Sequence, residues 1–130
     1  MNWFIITTNN CNLFCRYCQN EPHPYLPIKP SWNVEELKKF ISNDEDPIIS
    51  FYGGEPLLNI ENIQEVMDNV PVEHYTIQTN GLLLHKLPLE NLKKLSTILI
   101  SLDGDEEITN QNRGKGIYRK IIKNIKDIRL

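Results

Sequence analysis

Cys11, Cys15 and Cys18 are the chain's three cysteines, and all fall within eight residues. Thiolates are soft ligands, suited to iron–sulfur clusters, zinc or copper(I). An odd, crowded set makes a poor disulfide framework and points to a reduced compartment in which the thiolates hold something. Four-iron clusters usually take four cysteines. Three would leave one iron without a protein ligand, and an open coordination position is what a catalytic metal needs. The competing reading is a structural zinc site of three cysteines and His23, five residues beyond Cys18.

Four more segments carry chemistry. Phe51-Tyr52-Gly53-Gly54-Glu55-Pro56 joins two glycines, which permit close backbone approach, to the loop's only anion, Glu55. Its plain reading is a tight strand-to-helix turn. Gln78-Thr79-Asn80-Gly81 and Ser101-Leu102-Asp103-Gly104 contain common turn dipeptides, and each alone reads as a turn. Asn112-Arg113-Gly114-Lys115-Gly116 presents a guanidinium fit for bidentate capture of a carboxylate, or else a surface arginine ahead of a helix. His23, His74 and His85 show no partner in the sequence and read as structural or solvated.

The elements that position these segments follow from apolar period and turn punctuation. Strands are expected at Trp3–Thr7, Ile48–Tyr52, His74–Thr79 and Ile98–Leu102. The first helix should start at Asn33, an N-cap with Glu36 in capping-box position, and bury Val34, Leu37, Phe40 and Ile41. The second spans about Ile60 to Val70, and the third, short, runs from Leu89 to Leu95. The fourth begins near Ile117, with Ile117, Ile121, Ile122, Ile125 and Ile128 as its stripe. Prolines 22, 24, 27 and 30 exclude regular helix between the cysteines and Asn33.

Alternating strand and helix implies an α/β fold of four consecutive parallel βα units with right-handed crossovers. The first, second and fourth strands are nearly continuous apolar runs, the pattern of strands buried on both faces. Four helices cover one face and leave little for the other, and the sequence stops in a helix. Residues 1–130 therefore read as one domain, the N-terminal part of a longer (β/α) barrel whose remaining strands would close the inner face. The alternative is a small complete sheet with a partner on its open face.

Composition narrows the setting. The chain has 130 residues, 40% apolar and 24% charged, as in ordinary soluble domains. No run of about 18 apolar residues occurs, and the N-terminus lacks the basic start and small-residue cleavage site of a secretory signal. A cytoplasmic protein with no membrane partner is expected. A net charge of −3 disfavours a nucleic-acid footprint. Seven of the fourteen basic residues lie in the last eighteen positions, read as the solvated face of the last helix.

Cys11-Asn12-Leu13-Phe14-Cys15-Arg16-Tyr17-Cys18 resembles the signature loop of the radical S-adenosylmethionine (radical SAM) enzymes, with Tyr17 as the aromatic residue before the third cysteine. Gly53-Gly54-Glu55-Pro56 resembles that family's motif for the amino group of SAM. The next two loops are similar to those of its peptide-modifying branch, which includes the anaerobic sulfatase-maturing enzymes. The resemblance runs in order from the first strand to the last helix. It implies a partial barrel in which Cys11, Cys15 and Cys18 bind a [4Fe–4S] cluster and SAM chelates the fourth iron. It implies that Tyr17, Gly53, Gly54, Glu55, Pro56, Thr79, Asn80, Ser101 and Asp103 border SAM and that Arg113 takes its carboxylate.

The implied activity is reductive cleavage of SAM to a 5′-deoxyadenosyl radical that takes a hydrogen atom, from a peptide or protein substrate by analogy with the branch. A one-electron donor such as flavodoxin or ferredoxin, and the missing C-terminal barrel half, are the implied partners. Two departures stand out: Asp105 where the branch often has proline, and Thr109-Asn110 where it has His-Asp. Cysteines for auxiliary clusters are also absent from this sequence. Two other functions stay open: a non-catalytic cluster- or zinc-binding interaction module, and an activating enzyme for a glycyl-radical partner.

Overall fold

The computed structural model describes residues 1–18, 25 and 27–128. His23, Pro22, Pro24 and Arg129 of the sequence reading lie outside them. Four strands form one sheet: β1 (Asn2–Thr8), β2 (Ile48–Gly53), β3 (His74–Thr79) and β4 (Leu95–Ile100). Their spatial order is β1-β2-β3-β4, and every pairing is parallel. The connections carry α1 (Val34–Ile41), α2 (Ile60–Asn69) and α3 (Leu89–Lys94). After β4 come α4 (Glu106–Arg113) and α5 (Ile117–Asp127). The expected α/β class and parallel βα repeat are confirmed.

Register builds the core. Ile5 lies opposite Phe51, Ile49 opposite Tyr75, and Phe51 opposite Ile77. All five point to the face where Val34, Leu37, Ile41, Ile63, Val66, Met67 and Leu92 of the helices meet them. Phe51 and Tyr75 stack at 6.2 Å, and the Tyr75 hydroxyl donates to the Val70 carbonyl, so the ring is buried without an orphaned polar atom. Helix α1 starts as expected: Asn33 Oδ1 accepts the Glu36 N–H at 3.0 Å and Glu36 Oε2 accepts the Asn33 N–H at 2.9 Å.

The second face is open, as four helices on one side implied: Phe4, Ile6, Tyr52 and Leu99 are 63%, 45%, 40% and 54% exposed on the helix-free face. Three expectations need correction. Phe40 is exposed too, because it sits at the margin of α1, edge-on to Trp3 at 5.2 Å. Strand β4 begins at Leu95, directly from α3, and ends at Ile100; Leu95 pairs with Tyr75 and Thr97 with Thr76, and the register shifts between these pairs at Ser96. Finally, α4 is an additional helix. Asp105 caps it, with Oδ1 accepting the Ile108 N–H at 2.9 Å, and Glu106 and Glu107 complement its dipole.

Candidate functional site

The cysteine loop and the loops after β2, β3 and β4 meet at one end of the sheet, the C-terminal end of all four strands. They enclose a cleft of about 210 Å³. Cys11, Cys15, Tyr17, Cys18, Gly53, Gly54, Glu55, Thr79, Asn80, Ser101 and Arg113 all line it. Asp103 adjoins it through Arg113. Pro56 lies beneath, at the start of a 3-10 turn, Pro56–Leu58, in which Pro56 and Leu57 are buried. Leu13, Tyr52 and Gln78 line the cleft as well and were not singled out from sequence. Tyr52 and Gln78 are readable afterwards from strand alternation, since each sits near its strand's C-terminal end on the open face.

The two glycines permit the close fit of the first two loops. A Cβ on Gly54 would lie 2.2 Å from the Asn10 carbonyl oxygen, and one on Gly53 would lie 2.3 Å from that of Thr8. Gly53 also holds φ at 144°, outside the ordinary range of L side chains. This approach lets the Gly54 N–H donate to the Thr8 carbonyl at 2.9 Å and the Glu55 N–H to that of Asn10 at 2.7 Å.

The Glu55 carboxylate is only 1% exposed and turns inward. It accepts the Thr79 hydroxyl at 2.7 Å, the Asn80 N–H at 2.8 Å and the Leu57 N–H at 3.1 Å. Burial pushes its pKa up, and these donors pull it back. Glu55 thereby ties the β2 loop to the β3 loop. Asn80 continues the tie: its Nδ2 donates to Asn12 Oδ1 at 2.7 Å and lies 3.9 Å from Cys11 Sγ.

The cysteine loop is anchored by Leu13, which packs against Ile117 and Ile121 of α5 beside Cys11 and Cys15. Burial raises the Cys15 thiol, and the Arg113 charge opposes that rise. Arg113 itself pairs with Asp103. Its Nε is 2.7 Å from Asp103 Oδ2 and its Nη2 is 2.9 Å from Oδ1. The Tyr17 hydroxyl donates to Asp103 Oδ1 at 2.8 Å and also meets Arg113 Nη2.

Among the described residues, no three His, Cys, Asp or Glu side chains are gathered tightly enough for a single metal ion. A four-iron cluster spreads its thiolates around a cube and asks for a wider set. Three soft donors on one loop, at the mouth of a cleft walled by backbone brought close at Gly53 and Gly54, fit such a group.

The fold and site together are a parallel α/β sheet with three clustered cysteines on the loop that follows its first strand. Residues 5–129 match the Radical SAM superfamily, and the chain belongs to that family. An uncharacterized protein of Methanocaldococcus jannaschii is 35% identical over 76% of this chain and 37% of its own length. A probable GTP 3′,8-cyclase of Archaeoglobus fulgidus is 33% identical over 95% of this chain and 43% of its own. The radical SAM cyclopropyl synthase TigE of Paramaledivibacter caminithermalis is 29% identical over 76% and 26%. Among solved structures, anSMEcpe with bound AdoMet and Cp18Cys peptide superposes with a TM-score of 0.72 at 25% identity, covering 96% of this chain and 38% of that one. The chain thus spans roughly a quarter to under half the length of these proteins.

Proposed function

We propose that the chain is the N-terminal part of a radical SAM enzyme core and that Cys11, Cys15 and Cys18 hold its [4Fe–4S] cluster. The observation that carries this reading is the convergence of the cysteine loop with the three motif-bearing loops in one cleft. When bound, cluster and SAM together supply a one-electron reductive cleavage that yields a carbon radical able to take a hydrogen atom from substrate.

The chain's own residues bind, orient and shield. The three thiolates are the cluster ligands. Main-chain carbonyls of the Gly53-Gly54 loop offer acceptors to the amino group of SAM, and Thr79, Asn80 and Ser101 offer polar contacts along the cleft. Tyr17 supplies an aromatic wall. Glu55 supports the cleft by holding Thr79, Asn80 and Leu57 through three accepted hydrogen bonds. The open sheet face would meet the rest of a barrel or the substrate. A peptide or protein substrate is favoured because anSMEcpe is described with a peptide bound. A cytoplasmic setting and a flavodoxin- or ferredoxin-type donor suit an oxygen-sensitive cluster.

Electron paramagnetic resonance on anaerobically reconstituted, reduced protein, with and without SAM, tests the reading. A [4Fe–4S]⁺ signal that changes on adding SAM is expected. A colourless protein holding one zinc would overturn it in favour of a structural module.

A further inference from the structure

We propose that Asp103, Arg113 and Tyr17 form a latch that holds the cysteine loop against α4, making Asp103 and Arg113 positioning residues and taking Arg113 off the SAM carboxylate. The proposal rests on the reading of Cys11, Cys15 and Cys18 as the cluster site.

The latch is assembled by α4. Thr109 and Arg113 stand four residues apart and so share one helix face. Thr109 is fully buried, and its Oγ1 takes the Asp103 N–H at 3.3 Å while its hydroxyl reaches the Gly104 carbonyl at 3.4 Å. One turn on, Arg113 closes its fork on the Asp103 carboxylate, with side chains only 9% and 14% exposed. Two parallel charge-assisted bonds fix distance and plane together. Both partners then hold the Tyr17 hydroxyl, next in sequence to Cys18. The guanidinium carbon also lies 5.6 Å from the Tyr17 ring centroid.

A main-chain bond completes the fastening. The last carbonyls of a helix lack partners within it. The Asn112 carbonyl, in the last turn of α4, accepts the Arg16 N–H at 2.9 Å. The segment from Cys15 to Cys18 is therefore pinned at two consecutive residues by one helix end. The Nε–Nη2 edge of Arg113, one of the edges on which a guanidinium grips a carboxylate, is already on Asp103.

The test uses thiol-reduced protein without cluster and follows amide hydrogen exchange in residues 15–18, with the Ile49 amide as a core reference. Asp103→Asn and Arg113→Gln are expected to speed exchange at the Arg16 amide at least tenfold and to leave Ile49 within twofold. Tyr17→Phe, which keeps the ring but loses the hydroxyl, should have a smaller effect of the same sign. Arg113→Lys, unable to bridge both oxygens, should behave like Arg113→Gln.

Samples reconstituted with iron and sulfide, without SAM, should release iron to a chelator at least threefold faster in Asp103→Asn and Arg113→Gln. Unchanged exchange at residues 15–18 in Arg113→Gln, with loss of the SAM-dependent resonance change in that variant alone, would overturn the latch and return Arg113 to the SAM carboxylate. Parent protein that takes up no iron would overturn the cluster reading, and the exchange data would still decide the latch.

Discussion

Glu55 shows how a motif residue can act through its neighbours. Its carboxylate is buried and triply bonded, so Glu55→Ala would strand the donors of Thr79, Asn80 and Leu57 around a void. A loss of roughly 2–3 kcal/mol is expected from such unpaired groups, read as a lower urea midpoint. Asp103 supplies the pH dependence. The Arg113 hydrogen bonds hold its pKa below the usual carboxylate value. Its stabilisation is thus complete above the unfolded value of about 4 and is lost as pH falls through the lower folded value. Acid titration of the parent and Asp103→Asn should show stability curves that keep a constant offset above pH ~4 and converge as pH falls below it. On the proposed cluster reading, any single Cys→Ser change at 11, 15 or 18 should cut iron bound after reconstitution by more than half, since each would remove one of three cysteine ligands.

At the scale of elements, caps were readable and weak helices were not. Asn33 and Glu36 announce α1, and Asn33→Ala should cost about 1 kcal/mol in chemical denaturation. Helix α4 carries one apolar residue on its exposed flank, Ile108, and is otherwise polar from Glu106 to Arg113. No apolar stripe marks it, so periodicity passes over it. Asp105 followed by two glutamates was its one local signal. The two departures from the family pattern lie here and have structural uses: Asp105 is the cap, and Asn110 accepts the Tyr118 N–H at the entry to α5. The β4 boundary moved for a related reason. Leu95 reads as the end of α3 and becomes strand because β3 offers it a backbone partner in Tyr75, with Ser96 carried along at the register shift before Thr97 pairs with Thr76.

At the scale of the molecule, the sheet has one covered and one open face. Ile49 is fully buried and Leu99 is over half exposed, though both are aliphatic strand residues. In this chain, Ile49→Ala should cost roughly 3 kcal/mol, while Leu99→Ser should change stability by less than about 0.5 kcal/mol; paired urea unfolding curves check both. Under the proposed function, the open face is the inside of a larger barrel.

The sequence alone was enough for the parallel βα repeat, because apolar period and turn residues are local properties that three-dimensional context rarely reverses when they recur four times. It was enough for the cysteine loop as well, since ligand type and spacing are written in eight consecutive positions. Which groups those loops actually touch was decided only by the tertiary structure. The bonds from Glu55 to Asn80 and from Arg113 to Asp103 and Tyr17 join residues on separate loops. Their existence depends on strand register and on a helix with almost no apolar signature, so no local pattern could assign a carboxylate to its donors or a guanidinium to its partner.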